Sequence, residues 1–185
     1  RRVLLTTMQA VSGAGRAGGV LSLDMLDNLI PFIPKEEEKV AREAGKIFGT
    51  LSNGTIAPHP APVGATCTRA PVLDGHTAAV TIETARPCPP EAAIEALRAF
   101  RGDYAGLGLP SAPRQPIIVH DDPFRPQPRL DRGAEGGMAV SVGRVRAEPA
   151  LEHGLKYVCL SHNTRIGAAR GLVLVAEYLK HQGLL

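Results

Sequence analysis

Two short apolar segments separated by a turn dipeptide limit most strongly what this chain can fold into. Residues 64–71 and 76–84 have the length and composition of β-strands, and Asp74-Gly75 stands between them. Asp-Gly is a strong signal for a tight turn, because Gly readily adopts the positive φ that such turns need. Four further segments of the same β-type are present at 3–7, 117–120, 138–146 and 157–161. The chain therefore has to build a sheet.

Helical segments are placed between these strands. The segment 36–48 predicts a helix most clearly, because three glutamates occupy its first turn, where they complement the positive end of the helix dipole. Further helices are predicted at 22–30, 89–100 and 163–179. This order favours an α+β domain with a mixed, largely antiparallel sheet and helices on one face. The other face must then meet solvent or a partner.

Composition narrows the class of protein. The 185 residues suffice for one domain, and the absence of Trp predicts a core of aliphatic side chains. A net charge of +3 without a basic, aromatic-rich cluster argues against nucleic-acid binding, and the apolar stretches are too short to span a membrane. Three cysteines without a C-x-x-C pattern predict neither disulfides nor a metal site, and favour a reduced, cytoplasmic compartment. Because the chain begins without Met, directly in a β-type run, we expect a fragment of a longer protein.

Two clusters of polar residues are candidates for binding. Gln9 precedes a Gly-rich loop, 12–15, and this is either a simple turn or an amide held beside a substrate. Glu36 and Lys39 are three residues apart on the same helix. They form either an exposed ion pair or a site in which Lys39 binds phosphate and Glu36 binds an ammonium group.

Two further clusters are candidates for chemistry. Arg69 lies in an otherwise apolar strand, and a buried guanidinium needs an anionic partner. If that partner is a substrate carboxylate, His76 is a natural general base, although a single His after a turn is commonly structural. Asn163, just before the last helix, is either part of a helix cap or an amide contact for a cofactor. Cys67 is interpreted as a small buried hydrophobic residue.

These motifs, in this order, resemble the aspartate-semialdehyde dehydrogenase family of the archaeal and fungal type. The resemblance covers nearly the whole chain. It rests on 7–15 (TMQAVSGAG), 26–31 (LDNLIP), 36–39 (EEEK), 69–77 (RAPVLDGHT), 125–131 (RPQPRLD), 138–144 (MAVSVGR), and 160–164 (LSHNT) with 167–169 (GAA). The family reduces L-4-aspartyl phosphate with NADPH, on the route to lysine, threonine and methionine.

The resemblance implies a role for each substrate-binding candidate. Arg69 would hold the α-carboxylate, Gln9 the acyl group, Glu36 the amino group and Lys39 the phosphate. His76 would be the acid/base that activates the nucleophilic thiol.

The resemblance also implies how the chain is organised. Asn163 would lie at the nicotinamide end of NADP. Residues 1–162 would form a substrate-binding and dimerisation domain, like the C-terminal domain of glyceraldehyde-3-phosphate dehydrogenase, and the sheet face would build a homodimer. Residues 163–185 would form a helix that packs on the NADP domain of the full enzyme.

The chain departs from the family pattern in two places. It contains no Asn-Cys segment for the nucleophile, and residues 13–18 (GAGRAG), although they have the G-x-G-x-x-G spacing, are not followed by the βαβ unit with a downstream acidic residue that a dinucleotide phosphate loop requires. We therefore expect it to be inactive alone and not to bind NADP by itself. Malonyl-CoA reductase shares the same motifs and remains an alternative, and N-acetyl-glutamyl-phosphate reductase is a more distant one. A module for dimerisation alone, or a domain that binds small molecules weakly, also remains open.

Overall fold

The computed structural model describes residues 1–15 and 22–185, and contains a six-stranded sheet, a small hairpin and flanking helices. The elements in chain order are β1 (Arg2–Gln9), α1 (Ser22–Met25), α2 (Glu36–Ile47), β2 (Thr50–Ser52), β3 (Thr55–Ala57), β4 (Val63–Arg69), β5 (His76–Glu83), α3 (Pro90–Ala99), β6 (Ile117–His120), α4 (Pro128–Asp131), β7 (Val140–Glu148), β8 (Gly154–Ser161) and α5 (Ala169–His181). Short 3₁₀ turns lie at Val11–Ala14 and Ala134–Gly137. Within the described residues, no helix is long and apolar enough to cross a membrane.

The large sheet is mixed and has the strand order β4-β1-β5-β8-β7-β6. The outer pairs β1·β4 and β6·β7 are parallel, and the three inner pairs are antiparallel. This confirms the predicted fold class. The parallel β1·β4 pair matters for the site, because it brings the carboxyl ends of both strands to the same edge of the sheet.

The core is aliphatic, as the composition predicts. Cys67, Val80, Val142 and Leu155 are buried along the sheet, and all four lie on the same face by the strand register. The opposite face is open at β4, β1 and β5, where Leu4 is 49% exposed, whereas Leu160 and Ser141 on β8 and β7 are buried on this face. The two faces of the sheet are therefore covered to different extents.

The outer edge of β4 is covered by the segment that leads into α2 and by α2 itself. Ile30 forms an antiparallel bridge with Arg69, with N–H to O distances of 3.0 and 2.8 Å. Further along the edge, the Glu37 carboxylate accepts a hydrogen bond from the Cys67 amide at 3.0 Å. An edge strand with unpaired amides is a site for unwanted strand pairing, so these contacts protect it. They also place the first turn of α2 beside the end of β4.

Two of the helices are shorter in the structure than the sequence predicts. The helix predicted at 22–30 covers only Ser22–Met25, because Asp27 adopts a left-handed conformation (φ 54°) and Ile30 pairs with β4 instead. The helix predicted at 163–179 begins at Ala169. The Asn163 side chain is hydrogen-bonded to two other loops, and residues 163–168, between it and the helix, are in turns.

The β2–β3 hairpin is not among the elements predicted from the sequence. Asn53 and Gly54 both adopt positive φ (50° and 75°), which is the conformation of a tight two-residue hairpin turn. The Asn-Gly dipeptide was a usable signal for this turn. Its three-residue strands are exposed and carry too little apolar pattern to stand out.

The loop before α4 and α4 itself lie between β7 and the turn that joins β4 to β5, and contact both. Gly143 lies so close to this loop that an added Cβ would be 2.2 Å from the Arg125 carbonyl oxygen. Arg125 forms an ion pair with the buried Asp131, which also accepts a hydrogen bond from the Gln127 amide at 2.6 Å. Arg132 then donates to the Asp74 carbonyl at 3.1 Å. The position of the turn that precedes His76 therefore depends on this loop.

We predict that Gly143→Ala destabilises the fold by roughly 2–3 kcal/mol, because the new methyl group meets backbone and not a flexible side-chain end. The measurement is the free energy of unfolding in urea. Gly133→Ala is the matched control, since Gly133 has a φ of −86° and open space around its Cβ position. Equal stabilities for the two variants would contradict the tight approach of the loop at Gly143.

Candidate functional site

The strand register places three of the candidate residues side by side. Gln9 and Arg69 are partners at the ends of β1 and β4. Because Met8 pairs with Thr77 in the antiparallel β1·β5 ladder, His76 lies one step further, beside Gln9. The three side chains project from the same face of the sheet, since their positions are in register across adjacent strands. The site is thus built at the edge where the parallel strands end.

Arg69 is the most buried charged group of this cluster, with 6% of the residue exposed. Its Nη1 donates to the Ala10 carbonyl at 2.8 Å, and it forms no ion pair with any carboxylate in the described parts of the chain. Burial lowers the pKa of Arg69, and the nearby charge of Glu36 opposes this effect. A buried guanidinium that has unused hydrogen-bond donors is suited to bind a carboxylate or a phosphate.

His76 is held by the backbone. Its Nδ1 accepts a hydrogen bond from the Ala10 amide at 3.0 Å, so in the neutral ring the proton lies on Nε2. Burial, followed by the charge of Arg69, lowers the pKa of His76 to about 4, against the opposing charges of Glu36 and Asp74. His76 is therefore a neutral ring at pH 7, and its Nε2–H is the hydrogen-bonding group that the backbone leaves unused.

Gly13 lies directly over the two groups. An added Cβ would be 2.9 Å from the Arg69 Nη1 and 3.0 Å from the His76 Nε2. Any larger residue would have to displace one of these side chains. The absence of a side chain at this position keeps Arg69 and His76 open to a ligand.

Glu36 and Lys39 supply the charged groups on the other side of Arg69. Lys39 Nζ is 3.1 Å from Glu36 Oε1, and this contact raises the pKa of Lys39. Glu36 and Arg69 line the same cavity, of about 310 Å³, together with Gly13 and Ile30. The cavity is therefore lined by one cation and one anion, and a second cation, Lys39, is bonded to that anion.

Asn163 approaches the site from the opposite side through two hydrogen bonds. Its Oδ1 accepts from the Gly75 amide at 2.8 Å, and its Nδ2 donates to the Ser12 hydroxyl at 2.9 Å. The side chain thus joins the loop after β1 to the turn before β5. A side-chain amide has a second donor hydrogen and a second acceptor lone pair, so one of each is left for a further contact.

The structure brings the six candidates predicted from the sequence to one end of β1. The contacts that the sequence could not show are those made by backbone groups, above all the Ala10 and Gly75 amides. Such groups leave no side-chain signal. Cys67 is fully buried and burial raises its pKa, so it has the environment expected of a structural cysteine. Among the described residues, no group of three or more His, Cys, Asp or Glu is arranged to hold a metal ion.

A larger cavity, of about 630 Å³, lies at the other end of β1, against Val3, Phe48 and Tyr157. Its lining is mainly apolar, with the paired Arg2 and Glu83 at its edge. It contains none of the six candidate residues. We place the site at the smaller cavity, because the convergence of Arg69, His76 and Glu36 is the chemically informative feature.

Comparison with known proteins supports one family. Residues 1–166 match the model of the semialdehyde dehydrogenase dimerisation domain. Aspartate-semialdehyde dehydrogenase from Methanothermobacter thermautotrophicus is 49% identical over 179 residues, which are 97% of this chain and 51% of the relative. The enzyme of the same name from Cryptococcus neoformans is 48% identical over 99% of this chain and 51% of its own length. The chain thus spans about half the length of the curated relatives that it matches.

Solved structures are similar in the same way. The crystal structure of aspartate semialdehyde dehydrogenase with NADP from Candida albicans matches with a TM-score of 0.87 and 41% identity, over 100% of this chain and 51% of that chain. Aspartate semialdehyde dehydrogenase II from Vibrio cholerae, complexed with ASA, matches with a TM-score of 0.76 and 29% identity, over 97% of this chain and 54% of that chain. Sequence and backbone therefore agree on the same set of relatives.

We predict that His76 makes the fold less stable in acid. Its folded pKa of about 4 lies below the usual 6.5, so the unfolded chain binds the proton first as the pH falls. This stability is fully present above pH 6.5, and is lost between pH 6.5 and pH 4. Because His76 is only partly buried, the loss should be on the order of 1–2 kcal/mol, less than the full shift would give.

The measurement is the urea unfolding free energy of the wild type and of His76→Gln from pH 4 to pH 8. Gln does not titrate, so this variant removes the pH-dependent contribution of the side chain. The difference between the two proteins should change across this window and stay constant above it. Parallel curves over the whole range would contradict a lowered pKa at His76.

Proposed function

The chain belongs to the semialdehyde dehydrogenase family, and on this basis we propose that it is the substrate-binding half of an enzyme that interconverts L-4-aspartyl phosphate and L-aspartate 4-semialdehyde with NADP. The observation that carries this proposal is the buried guanidinium of Arg69, which has no carboxylate partner among the described residues, lines the same cavity as Glu36 and lies with His76 below Gly13. The relatives named above carry aspartate-semialdehyde dehydrogenase as their name, and one solved relative contains NADP.

The charges of the cavity fit the two ends of an amino acid. Arg69 supplies a planar fork of donors for the α-carboxylate, and Glu36 on the same cavity supplies an anion for the α-ammonium group. Malonyl-CoA carries no ammonium group. The position of Glu36 in the cavity therefore favours aspartate semialdehyde over malonyl-CoA as the substrate.

Phosphate would bind at Lys39. Its side chain is half exposed and lies 3.1 Å from Glu36, so a doubly charged phosphate can compete for it. Gln9, the buried register partner of Arg69, would hold the acyl group of the substrate by its amide. Both roles are part of the proposal.

His76 would be the acid/base group for a thiol that this chain does not provide. Of the described cysteines, Cys67 is buried, Cys88 is bonded to the neighbouring Pro89 carbonyl, and Cys159 is a half-buried residue of β8. The neutral ring presents Nε2–H toward Gly13 and Arg69, where it can donate to a thiolate or to a developing oxyanion. To take up a proton on both nitrogens, the ring would have to give up the Ala10 bond.

NADP would contact this half of the enzyme at Asn163. The test is whether the residue has bonding capacity left, and one donor hydrogen and one acceptor lone pair of its amide remain after the Ser12 and Gly75 bonds. This fits the carboxamide of a nicotinamide. The cofactor, when bound, carries the hydride, and the role of this chain is to orient it.

The proposal includes the predicted division of the chain. Residues 1–162 would bind substrate and dimerise, and residues 163–185 would pack on an NADP domain. Leu172 and Val175 on α5 are exposed, which supports a packing role for this helix. Glu177 ties α5 to the Ser111 amide at 2.9 Å. The chain alone would be inactive and would not bind NADP, and the enzyme would work in the cytoplasm.

We propose that a homodimer forms through the open face of the sheet. Thr6, Gly64, Thr66 and Ala79 are exposed on this face around Leu4, and their small side chains leave a shallow depression of about 390 Å³. A flat surface of small and apolar side chains is suited to packing against the same surface of a second copy. The matched family model is named as a dimerisation domain, which supports this assembly.

Activity is expected when the missing half is supplied. We predict that a fusion of this chain to the unmatched half of the Methanothermobacter relative forms NADPH from aspartate semialdehyde and phosphate. His76→Gln should lower kcat by about 10²–10⁴-fold, since acid/base catalysis contributes this much. Arg69→Ala should raise KM for the semialdehyde about 10–100-fold, because it removes a charged hydrogen-bonding partner of the carboxylate.

The matched control for Arg69→Ala is Arg86→Ala, at an exposed arginine outside the site. It should leave both constants unchanged. A folded fusion that reduces malonyl-CoA and does not oxidise aspartate semialdehyde would overturn the proposed substrate. Full activity of the His76→Gln fusion would overturn the role of His76.

The assembly gives a separate prediction. Wild-type chain should show a concentration-dependent mass that reaches twice the monomer in light scattering or sedimentation. Thr66→Arg should weaken this association at least tenfold, because it places a charge in the centre of the proposed interface. Thr55→Arg in the exposed hairpin is the control and should dimerise normally. A dimer that tolerates Thr66→Arg would exclude this face as the interface.

A further inference from the structure

Asn163 joins the two loops on either side of His76. It accepts from the Gly75 amide, which directly precedes His76, and donates to the Ser12 hydroxyl, two residues beyond Ala10. Ala10 is the residue whose amide bonds to the His76 ring and whose carbonyl bonds to Arg69. One side chain is thus connected to both groups through short segments of backbone.

Apart from the contacts of Ala10 with His76 and Arg69, the bond from Asn163 to Ser12 is the one side-chain hydrogen bond that the loop after β1 forms with the rest of the described residues. The loop rests on the turn by two backbone bonds, from the Val11 amide to the Val72 carbonyl at 2.8 Å and from the Ser12 amide to the Leu73 carbonyl at 3.2 Å. On the turn itself, Arg132 holds the Asp74 carbonyl at 3.1 Å. Asn163 adds a third link between the loop and the turn, since its side chain bonds to Ser12 in the loop and to Gly75 in the turn.

We propose that Asn163 is a positioning residue for His76, which holds the Ala10 amide on Nδ1 and so keeps the proton of the ring on Nε2. Its importance for catalysis rests on the proposed function. The placement of the proton is a property of the fold that can be measured without any turnover. This role differs from a cofactor contact, and the bonding capacity left on Asn163 allows both.

The physical reason lies in the donor at Nδ1. A backbone amide can only donate, so it stabilises the tautomer with a lone pair on Nδ1 and disfavours the doubly protonated ring. The charged groups around the ring do not select a tautomer by themselves. Arg69 and Lys39 disfavour protonation, whereas Glu36 and Asp74 favour it. The amide contact decides which nitrogen carries the proton.

The consequence is a fixed hydrogen-bond donor beside Arg69. With the proton on Nε2, the ring and the guanidinium present donors on the same side, below Gly13. Two preorganised donors beside each other suit an anion or a developing oxyanion. If the Ala10 contact is lost, the ring can exchange its proton between the two nitrogens and the second donor is no longer fixed.

The test is ¹⁵N NMR of the histidine rings in this chain, titrated from pH 4 to pH 8. In the wild type, His76 should show the Nε2–H tautomer at pH 7 and little protonation above pH 5. In Asn163→Ala, a mixture of tautomers should be observed, and the His76 pKa should rise by about one unit as the ring gains solvent. Ser12→Ala, which removes one arm of the contact, should shift both properties in the same direction and less far. Asn28→Ala, at an exposed asparagine with local bonds only, should leave His76 unchanged.

A folded Asn163→Ala variant with the wild-type tautomer and titration overturns the proposal. If that variant does not fold, Ser12→Ala decides, because it removes a single exposed hydrogen bond, and an unchanged His76 in this variant overturns the proposal equally. The NMR result does not depend on activity. A fusion that fails to turn over aspartate semialdehyde would therefore count against the proposed function alone.

Discussion

The burial of Arg69, with no carboxylate partner in the described parts of the chain, is the constraint on which the site depends. A guanidinium loses much of its hydration at 6% exposure, and a single bond to the Ala10 carbonyl replaces only a part of it. The fold could have satisfied this charge with a glutamate at direct contact. Instead it pairs Glu36 with Lys39, and within the described residues Arg69 keeps donors without a partner. An anionic ligand can supply the remaining stabilisation. The free energy that burial of Arg69 costs the empty site then contributes to the affinity for this anion.

Burial and this same charge together determine the protonation state of His76. Burial, followed by the charge of Arg69, disfavours a second positive charge, so the ring stays neutral far below its usual pKa. The backbone then selects the tautomer through the Ala10 amide. Gly13 completes the arrangement, since any side chain there would meet both groups. The charge of Arg69, the direction of the Ala10 amide and the absence of a side chain at Gly13 all act on the His76 ring. A change in one of the three therefore affects how the other two act on it.

The sequence predicts the parts of this site that depend on periodicity and turn chemistry. The Asp74-Gly75 turn and the two apolar runs beside it are found as β4, β5 and their connection, and the glutamates at 36–38 begin a helix as expected. The register that brings Gln9 to Arg69 could not be predicted, because the two residues are 60 positions apart in the chain and β1 and β4 are parallel. A parallel pair has no turn to set its register.

The errors have a common physical cause. The helices predicted at 22–30 and 163–179 are shortened where backbone or side-chain groups find partners that are distant in sequence. Ile30 bonds to the edge of β4, and Asn163 bonds to Ser12 and Gly75. Local propensity favoured a helix in both places, and tertiary hydrogen bonds outweighed it. Both departures lie at the candidate site, where a local rule is expected to yield to the needs of binding.

The two cations of the site differ in a way that suits the proposed reaction. Arg69 is buried and fixed by the Ala10 carbonyl, whereas the Lys39 side chain is 50% exposed and held only by Glu36. A carboxylate that stays in place through the reaction is best held by a rigid, bidentate donor. A phosphate that must enter and leave is better served by a flexible point charge, whose water is easily exchanged. An exchange of the two residue types, Arg69→Lys with Lys39→Arg, would keep the net charge and lose this division of roles.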